Sequence, residues 1–247
     1  MDSLPILAAI AGAFLLAGFV KGVIGVGLPT VSIGLLGLLL TPARAAAILL
    51  IPSLVTNVWQ ALAGGDVVAL SRRLWPMLAG VCIGTALGVA MLPHDDSGWG
   101  TVLLGAALAL YAALGLVKVE LSVPRHTETW LGLLVGTATG ALTVVTGIFV
   151  IPGTPYLQAL QFDRDRLVQA MGLSFTVSTI TLAAALGYAG EIHVGLIGPS
   201  LLALGAALAG MVLGQVVRGK VKAETFRLCF FVGLLLLGLH LALRNLL

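Results

Sequence analysis

Charged side chains are absent from this chain over one long stretch after another. Positions 3–20, 22–43, 45–65, 74–92, 97–117, 129–162, 167–190, 194–217 and 228–243 contain no Asp, Glu, Lys or Arg. About 20 apolar residues cross the hydrocarbon core of a bilayer as a helix, and the chain supplies that length repeatedly. Backbone in lipid must satisfy its own hydrogen bonds, which leaves helices or a closed barrel. Leu, Ala, Val and Gly dominate the runs without the alternation of barrel strands, so they read as helices. Only 23 of the 247 residues are charged, 9%, against roughly 25% in a soluble domain. So few charges cannot clothe a water-facing surface, which excludes an ordinary soluble enzyme, a nucleic-acid binder and a disordered chain. The net charge of +3 is no argument for nucleic acid, because the cations lie in short patches between apolar runs. The expected class is an all-α polytopic membrane protein.

Catalytic chemistry has no foothold. His94, His126, His193 and His240 are scattered without the companions of a zinc site. There is no Ser-His-Asp arrangement, phosphate loop or HExxH helix. Cys82 and Cys229 sit in apolar runs, where they are expected as small buried packing residues. No catalytic residue, metal or cofactor is expected, and the chain does not read as an enzyme.

Two runs have the wrong length for a single crossing. As one helix, 129–162 would measure roughly 50 Å, too long for one ~30 Å core and too short for two full crossings. It also contains Thr146-Gly147 and Pro152-Gly153-Thr154-Pro155, which a continuous helix does not tolerate. The run 3–43 presents the same difficulty around Gly22, Gly25, Gly27 and Pro29. Each reads as a hairpin with one long arm, a broken midpoint and a short returning helix. The expected organisation is a single membrane domain of two repeats. Residues 1–120 hold a hairpin (3–43) and helices 44–65, 73–92 and 97–117. Residues 121–247 hold a hairpin (128–162) and helices 165–190, 194–217 and 225–245.

Loop charges set the expected orientation. Arg72-Arg73, Lys118 with Arg125, and Arg218, Lys220 and Lys222 mark basic loops, whereas His94-Asp95-Asp96 and Glu191 mark acidic ones. The positive-inside rule places the basic loops in the cytoplasm. Parity then requires each hairpin to enter and leave on one side, the first opening outward and the second inward, with both termini periplasmic. The first apolar run has no Lys or Arg before it, so it is expected to be a retained helix and not a secretory signal.

The halves repeat an order of events. Gly18-Phe19-Val20-Lys21-Gly22 parallels Gly136-Thr137-Ala138-Thr139-Gly140. Pro29 opens one short helix, and Pro152 or Pro155 the other. Arg44 and Arg164 each precede a threonine by twelve residues, Thr56 and Thr176. Asp66 corresponds to Glu191, yet the charges place them on opposite sides, so the repeats are expected to be inverted. Inverted repeats with broken helices suit alternating access, with binding near the midplane. Short helices starting at the breaks turn positive N-termini toward the centre, which favours an anion.

The segment Ala17-Gly-Phe-Val-Lys-Gly-Val-Ile-Gly-Val-Gly-Leu-Pro29, with Pro42-Ala-Arg44 and Thr56-Asn57-Val58-Trp59-Gln60, resembles the first half of the TauE/SafE sulfite exporter family. The resemblance extends over nearly the whole chain, more loosely in the second half. It implies a multi-pass transporter of the bacterial inner membrane that exports sulfite or a small organosulfonate. An anion channel, or a carrier of another small anion such as a carboxylate, fits the same pattern. The expected partners are a small anion and the bilayer, with no nucleic acid; assembly into a homo-oligomer stays open.

Candidate substrate-binding residues cluster at the breaks. Lys21 is the one charge deep in the first hairpin; it either faces an aqueous cavity and attracts an anion or snorkels to the interface. Gly22, Gly25 and Gly27 give either backbone access to substrate or close helix packing. Thr30 either cradles the anion or bonds back to its helix. Asn57 and Gln60 share a helix face beside Trp59, as donors to substrate oxygens or as interhelical glue. In the second half Thr146, Gly147 and Thr154 flank the break, and Thr176 follows on the next helix; Gln169 is a weaker candidate.

Overall fold

The computed structural model describes residues 4–63, 65, 67–91, 99–117, 122–220 and 222–244. Asp66, His94, Asp95, Asp96 and Lys118 lie outside the described residues. Ten α-helices are found among those described: α1 (Leu4–Ile24), α2 (Leu28–Leu36), α3 (Pro42–Leu62), α4 (Val67–Met91), α5 (Trp99–Val117), α6 (Glu128–Thr146), α7 (Gly153–Ala159), α8 (Arg164–Tyr188), α9 (Ile197–Arg218) and α10 (Ala223–Leu243). Eight are long and apolar enough to cross a membrane. The other two, α2 and α7, have nine and seven residues and follow the two breaks. Helix α4 begins earlier than the charge pattern implies, so Arg72 and Arg73 sit in its second turn and not in a loop.

The helices gather into two compact units, and neither is one half of the chain. The first contains α1, α2, the start of α3 up to Pro52, α5, α9 and α10; the second contains the rest of α3 with α4, α6, α7 and α8. Within the first, α1 and α9 run parallel and touch through glycines. A Cβ on Gly18 or Gly22 would strike the carbonyl of Ala207 or Met211, three residues before Gly210 and Gly214. In return Gly210 and Gly214 abut the carbonyls of Leu15 and Phe19, three residues before Gly18 and Gly22.

The second unit repeats this register. Helices α4 and α6 are parallel, and Gly136 and Gly140 abut the carbonyls of Met77 and Val81, three residues before Gly80 and Gly84. Gly80 and Gly84 abut those of Leu133 and Thr137, three residues before Gly136 and Gly140. Lipid gives apolar helices no hydrophobic reason to associate, so small-xxx-small faces that bring backbones together supply the adhesion as dispersion contacts. Two other long pairs, α5 with α10 and α3 with α8, are antiparallel. Gly105 of α5 meets Gly238 and Ala242 of α10, while Gly115 meets Phe231. In the second unit Ser53 and Gln60 of α3 bond to Thr179 and Val168 of α8.

Large apolar side chains cover the outer faces, among them Leu16, Ile83, Leu134, Val212 and Val216. Such surface is a liability in water and natural against lipid tails. The same inversion corrects the expectation for Cys82 and Cys229. Both are exposed, because the outward face of a membrane helix accepts apolar residues as readily as the core does.

Candidate functional site

The first break lies within the first unit. Helix α1 ends at Ile24 and α2 starts after Gly27, whose φ of 114° is left-handed and suits glycine alone. Pro29 follows in the first turn, where its missing N–H costs nothing. Lys21 occupies the last turn of α1 and is 6% exposed; its carbonyl accepts the Gly25 N–H at 2.8 Å. A cation is favoured at that helix end by the dipole. The hydroxyls here are committed to backbone: Thr30 donates to the Gly27 carbonyl at 3.0 Å, and Ser32 to that of Leu28 at 2.6 Å. Gly22 is occupied by the α9 crossing and has its bare face there.

The second break lies within the second unit. Gly147 caps α6 with a φ of 71° and donates its N–H to the Thr143 carbonyl. Residues Ile148, Phe149, Val150 and Ile151 then run back through the interior, all buried. Thr146 stitches the corner, donating to the Leu142 carbonyl at 2.8 Å and accepting the Ile148 N–H at 3.1 Å. Helix α7 returns along α6: Gly153 lies beside Thr139, and Tyr156 Oη donates to the Glu128 carbonyl at 2.9 Å. Thr139 is about 16 Å along α6 from Glu128 at 1.5 Å per residue, so α7 starts near the middle of a ~30 Å core. At under two turns α7 builds little dipole, so the expectation of two converging helix N-termini rests on α2.

Helices α3 and α8 are fastened near this break. Gln60 Nε2 donates to the Val168 carbonyl and Gln169 Nε2 to the Ala61 carbonyl, each at 2.9 Å. The Ala61 carbonyl is one of the last four of α3 and has no partner within its own helix, so Gln169 satisfies an orphan. Gly172 permits this approach, since a Cβ there would lie 2.5 Å from the Ala61 nitrogen. Gly172→Val is expected to destabilise by about 1–3 kcal/mol, read as a lower Tm; an unchanged Tm would remove the clamp. Further along, Asn57 Nδ2 donates to Ser53 Oγ at 2.8 Å, and Ser53 lies 3.0 Å from Thr179 Oγ1. Thr179 gives its proton to the Phe175 carbonyl at 2.7 Å. Ser53 is therefore the donor to Thr179, and the chain of bonds has one direction.

Hydroxyl accounting separates the candidates. Thr139, Thr143, Thr146 and Thr176 each bond a carbonyl of their own helix. Three buried hydroxyls have no partner among the described residues: Thr154 at the start of α7, and Ser174 and Ser178 on α8. Ser174 and Ser178, one turn apart, flank Phe175, whose ring packs 5.2 Å from that of Phe149 in the break. Asn57 is buried, but Trp59 is 71% exposed and faces away from this interior. Ser174 and Ser53 escaped sequence reasoning, since a serine inside an apolar run carries no sign of which face it takes.

The arrangement offers hydrogen-bond donors at mid-depth and, separately, a buried cation beside a glycine break; it contains no nucleophile–base pair among the described residues. The family description Sulfite exporter TauE/SafE matches residues 10–241. Nothing matches among curated proteins or among solved structures. With nearly its whole length covered, the chain belongs to the TauE/SafE sulfite exporter family, whose members are membrane transporters and not enzymes.

Proposed function

We propose that the protein is a secondary transporter that exports a small sulfur oxyanion, sulfite or an organosulfonate, across the bacterial inner membrane by alternating access. The observation that carries this reading is the set of buried, unpartnered hydroxyls Thr154, Ser174 and Ser178. Burying a hydroxyl without a partner costs about 1–3 kcal/mol, a penalty that a bound oxyanion removes by accepting the hydrogen bonds. Neutral donors at mid-depth hold a small anion without fixing it by a strong counter-charge. Lys21 supplies the cation of the first unit, where an intramembrane charge is otherwise expensive, and Gly25, Gly27 and Gly147 shape the breaks. Asn57 positions donors through Ser53, whereas Trp59 belongs to the lipid interface.

Helix directions support the inverted arrangement. With the amino terminus outside and each hairpin returning to its own side, α1 and α9 run inward and α4 and α6 outward, while α5 opposes α10 and α3 opposes α8. The relative directions within each unit, parallel for α1–α9 and α4–α6 and antiparallel for α5–α10 and α3–α8, are those this arrangement requires. If each hairpin counted as a single crossing, α5 would run parallel to α10. In the proposed topology both termini lie in the periplasm and the two hairpins turn toward opposite sides.

An inside-negative potential favours anion exit by about 2.3 kcal/mol per charge per 100 mV, so export runs without ATP. Saturable sulfite counterflow in proteoliposomes tests the carrier, and channel-sized single-molecule currents would overturn it. Thermal-shift measurements with sulfite, thiosulfate, taurine, sulfoacetate and carboxylates identify the anion. Lys21→Ala is expected to weaken anion binding about tenfold or more while insertion and folding persist; an unchanged affinity in purified protein removes Lys21 from the site.

A further inference from the structure

A second polar site lies in the second unit, at the end opposite the break. A cavity of about 520 Å3 opens where the segment before α6 meets the α7–α8 connection, lined by Arg73, Arg125, Glu128, Phe162, Asp163 and Arg166, among others. Its carboxylates are committed. Glu128 receives both guanidinium bonds of Arg73, at 2.7 and 2.9 Å, and the Arg73 guanidinium carbon lies over the Phe162 ring, 4.6 Å from its centre. Asp163 caps α8 by accepting the Arg166 N–H at 2.9 Å. The guanidinium of Arg166 keeps only a 3.7 Å contact to Asp163, with both side chains mostly in the open. Arg125 has no ion pair among the described residues. Two guanidiniums therefore face a polar cavity with unused donors, and the lining carries three arginines against two acids.

The level of this cavity in the membrane can be read from its neighbours. Trp75 on α4 is 60% exposed and Trp130 on α6 is 58% exposed. Each is two residues from the Arg73–Glu128 bridge, or about 3 Å along its helix. Exposed tryptophans gather at the headgroup level of a bilayer. The exposed Leu133 and Leu134 continue from there along α6, a surface suited to acyl chains. Guanidiniums bind phosphate oxygens in pairs of parallel hydrogen bonds, and basic pockets between membrane helices receive anionic headgroups.

We propose that Arg125 and Arg166 bind a phosphate-type oxyanion in this cavity, presented by the headgroup of an anionic phospholipid. The site is independent of the transported anion, because its lining shares no residue with the second break. It is tested on purified full-length protein in detergent, by thermal unfolding with added dioleoylphosphatidylglycerol, dioleoylphosphatidylcholine or inorganic phosphate. The anionic lipid is expected to raise Tm by about 5 °C or more over phosphatidylcholine. The double variant Arg125→Ala/Arg166→Ala is expected to lose that rise while matching the wild-type Tm in phosphatidylcholine, which shows that it folds. Arg164→Ala, an exposed arginine outside the lining, is expected to keep it. Equal Tm in the two lipids, or a full rise in the double variant, overturns the proposal. A rise reproduced by inorganic phosphate also overturns it, by assigning the cavity to a free oxyanion.

Discussion

Gly84→Val is expected to yield no monodisperse folded protein on extraction, whereas Gly205→Val behaves as wild type. The reason lies in the parallel crossing of α4 and α6. A Cβ on Gly84 would penetrate the Thr137 carbonyl, and one turn away Gly140 meets the Val81 carbonyl with the same closeness. These are backbone atoms, which cannot swing aside as a flexible side chain can. An isopropyl group forces the helices apart, so every neighbouring contact along the seam weakens together with the one that clashes. Overpacking in a well-filled interior typically costs about 1–3 kcal/mol. Here the loss extends along a seam held by dispersion contacts, with the Arg73–Glu128 bridge only at its end. Gly205 on α9 has nothing within 4 Å, so it controls for a valine in a glycine-rich membrane helix. Size-exclusion profiles and Tm report the outcome; a Gly84→Val protein with wild-type Tm would show that the helices are not in this contact. Gly214→Val is expected to fail in the same way, because its surroundings on Phe19 reproduce those of Gly84 on Thr137.

The double variant Ser174→Ala/Ser178→Ala is expected to lose transport at least about tenfold and to become more stable. The opposite signs are what distinguish binding from scaffolding. Each hydroxyl is buried without a partner, so deleting it removes a desolvation penalty of about 1 kcal/mol or more and leaves almost the same shape. A hydroxyl that held the fold would lower Tm when removed. Thr176 provides the comparison: on the same helix its hydroxyl donates to the Gly172 carbonyl at 2.7 Å, and Thr176→Val is expected to leave counterflow intact. A serine double variant with full counterflow would detach these residues from the anion and remove the main support for the proposed site.

The contrast between Thr176 and Ser174 also shows where sequence reasoning stopped. Apolar run lengths sufficed for the long helices, because the bilayer imposes one length on every crossing, and glycine and proline marked the two breaks. The family was legible from the segment around Lys21. The glycine pairs were half legible: Gly18, Gly22, Gly136 and Gly140 stand out by spacing. Their partners Gly80, Gly84, Gly210 and Gly214 have the same spacing, but nothing local says which helices meet. Arg73 and Glu128 lie 55 residues apart, so Arg73 read only as a loop charge. A threonine in a membrane helix bonds its own backbone or something else according to rotamer and neighbours, neither of which one sequence displays. That is why Thr146 and Thr176 looked equal to Thr154 and are not.

The α1–α9 pairing has a consequence for biogenesis. Gly18 finds its neighbour at Ala207, so α1 waits for a helix made long after it. At about 5–20 residues per second, the intervening ~190 residues take roughly 10–40 s to synthesise. Throughout that interval the bare glycine seam of α1 stands against lipid or against whatever attends insertion. Helix α6, by contrast, emerges when α4 is already in place. Truncation before α9 should therefore leave a nascent chain that membrane quality control recognises by the uncovered glycine seam of α1.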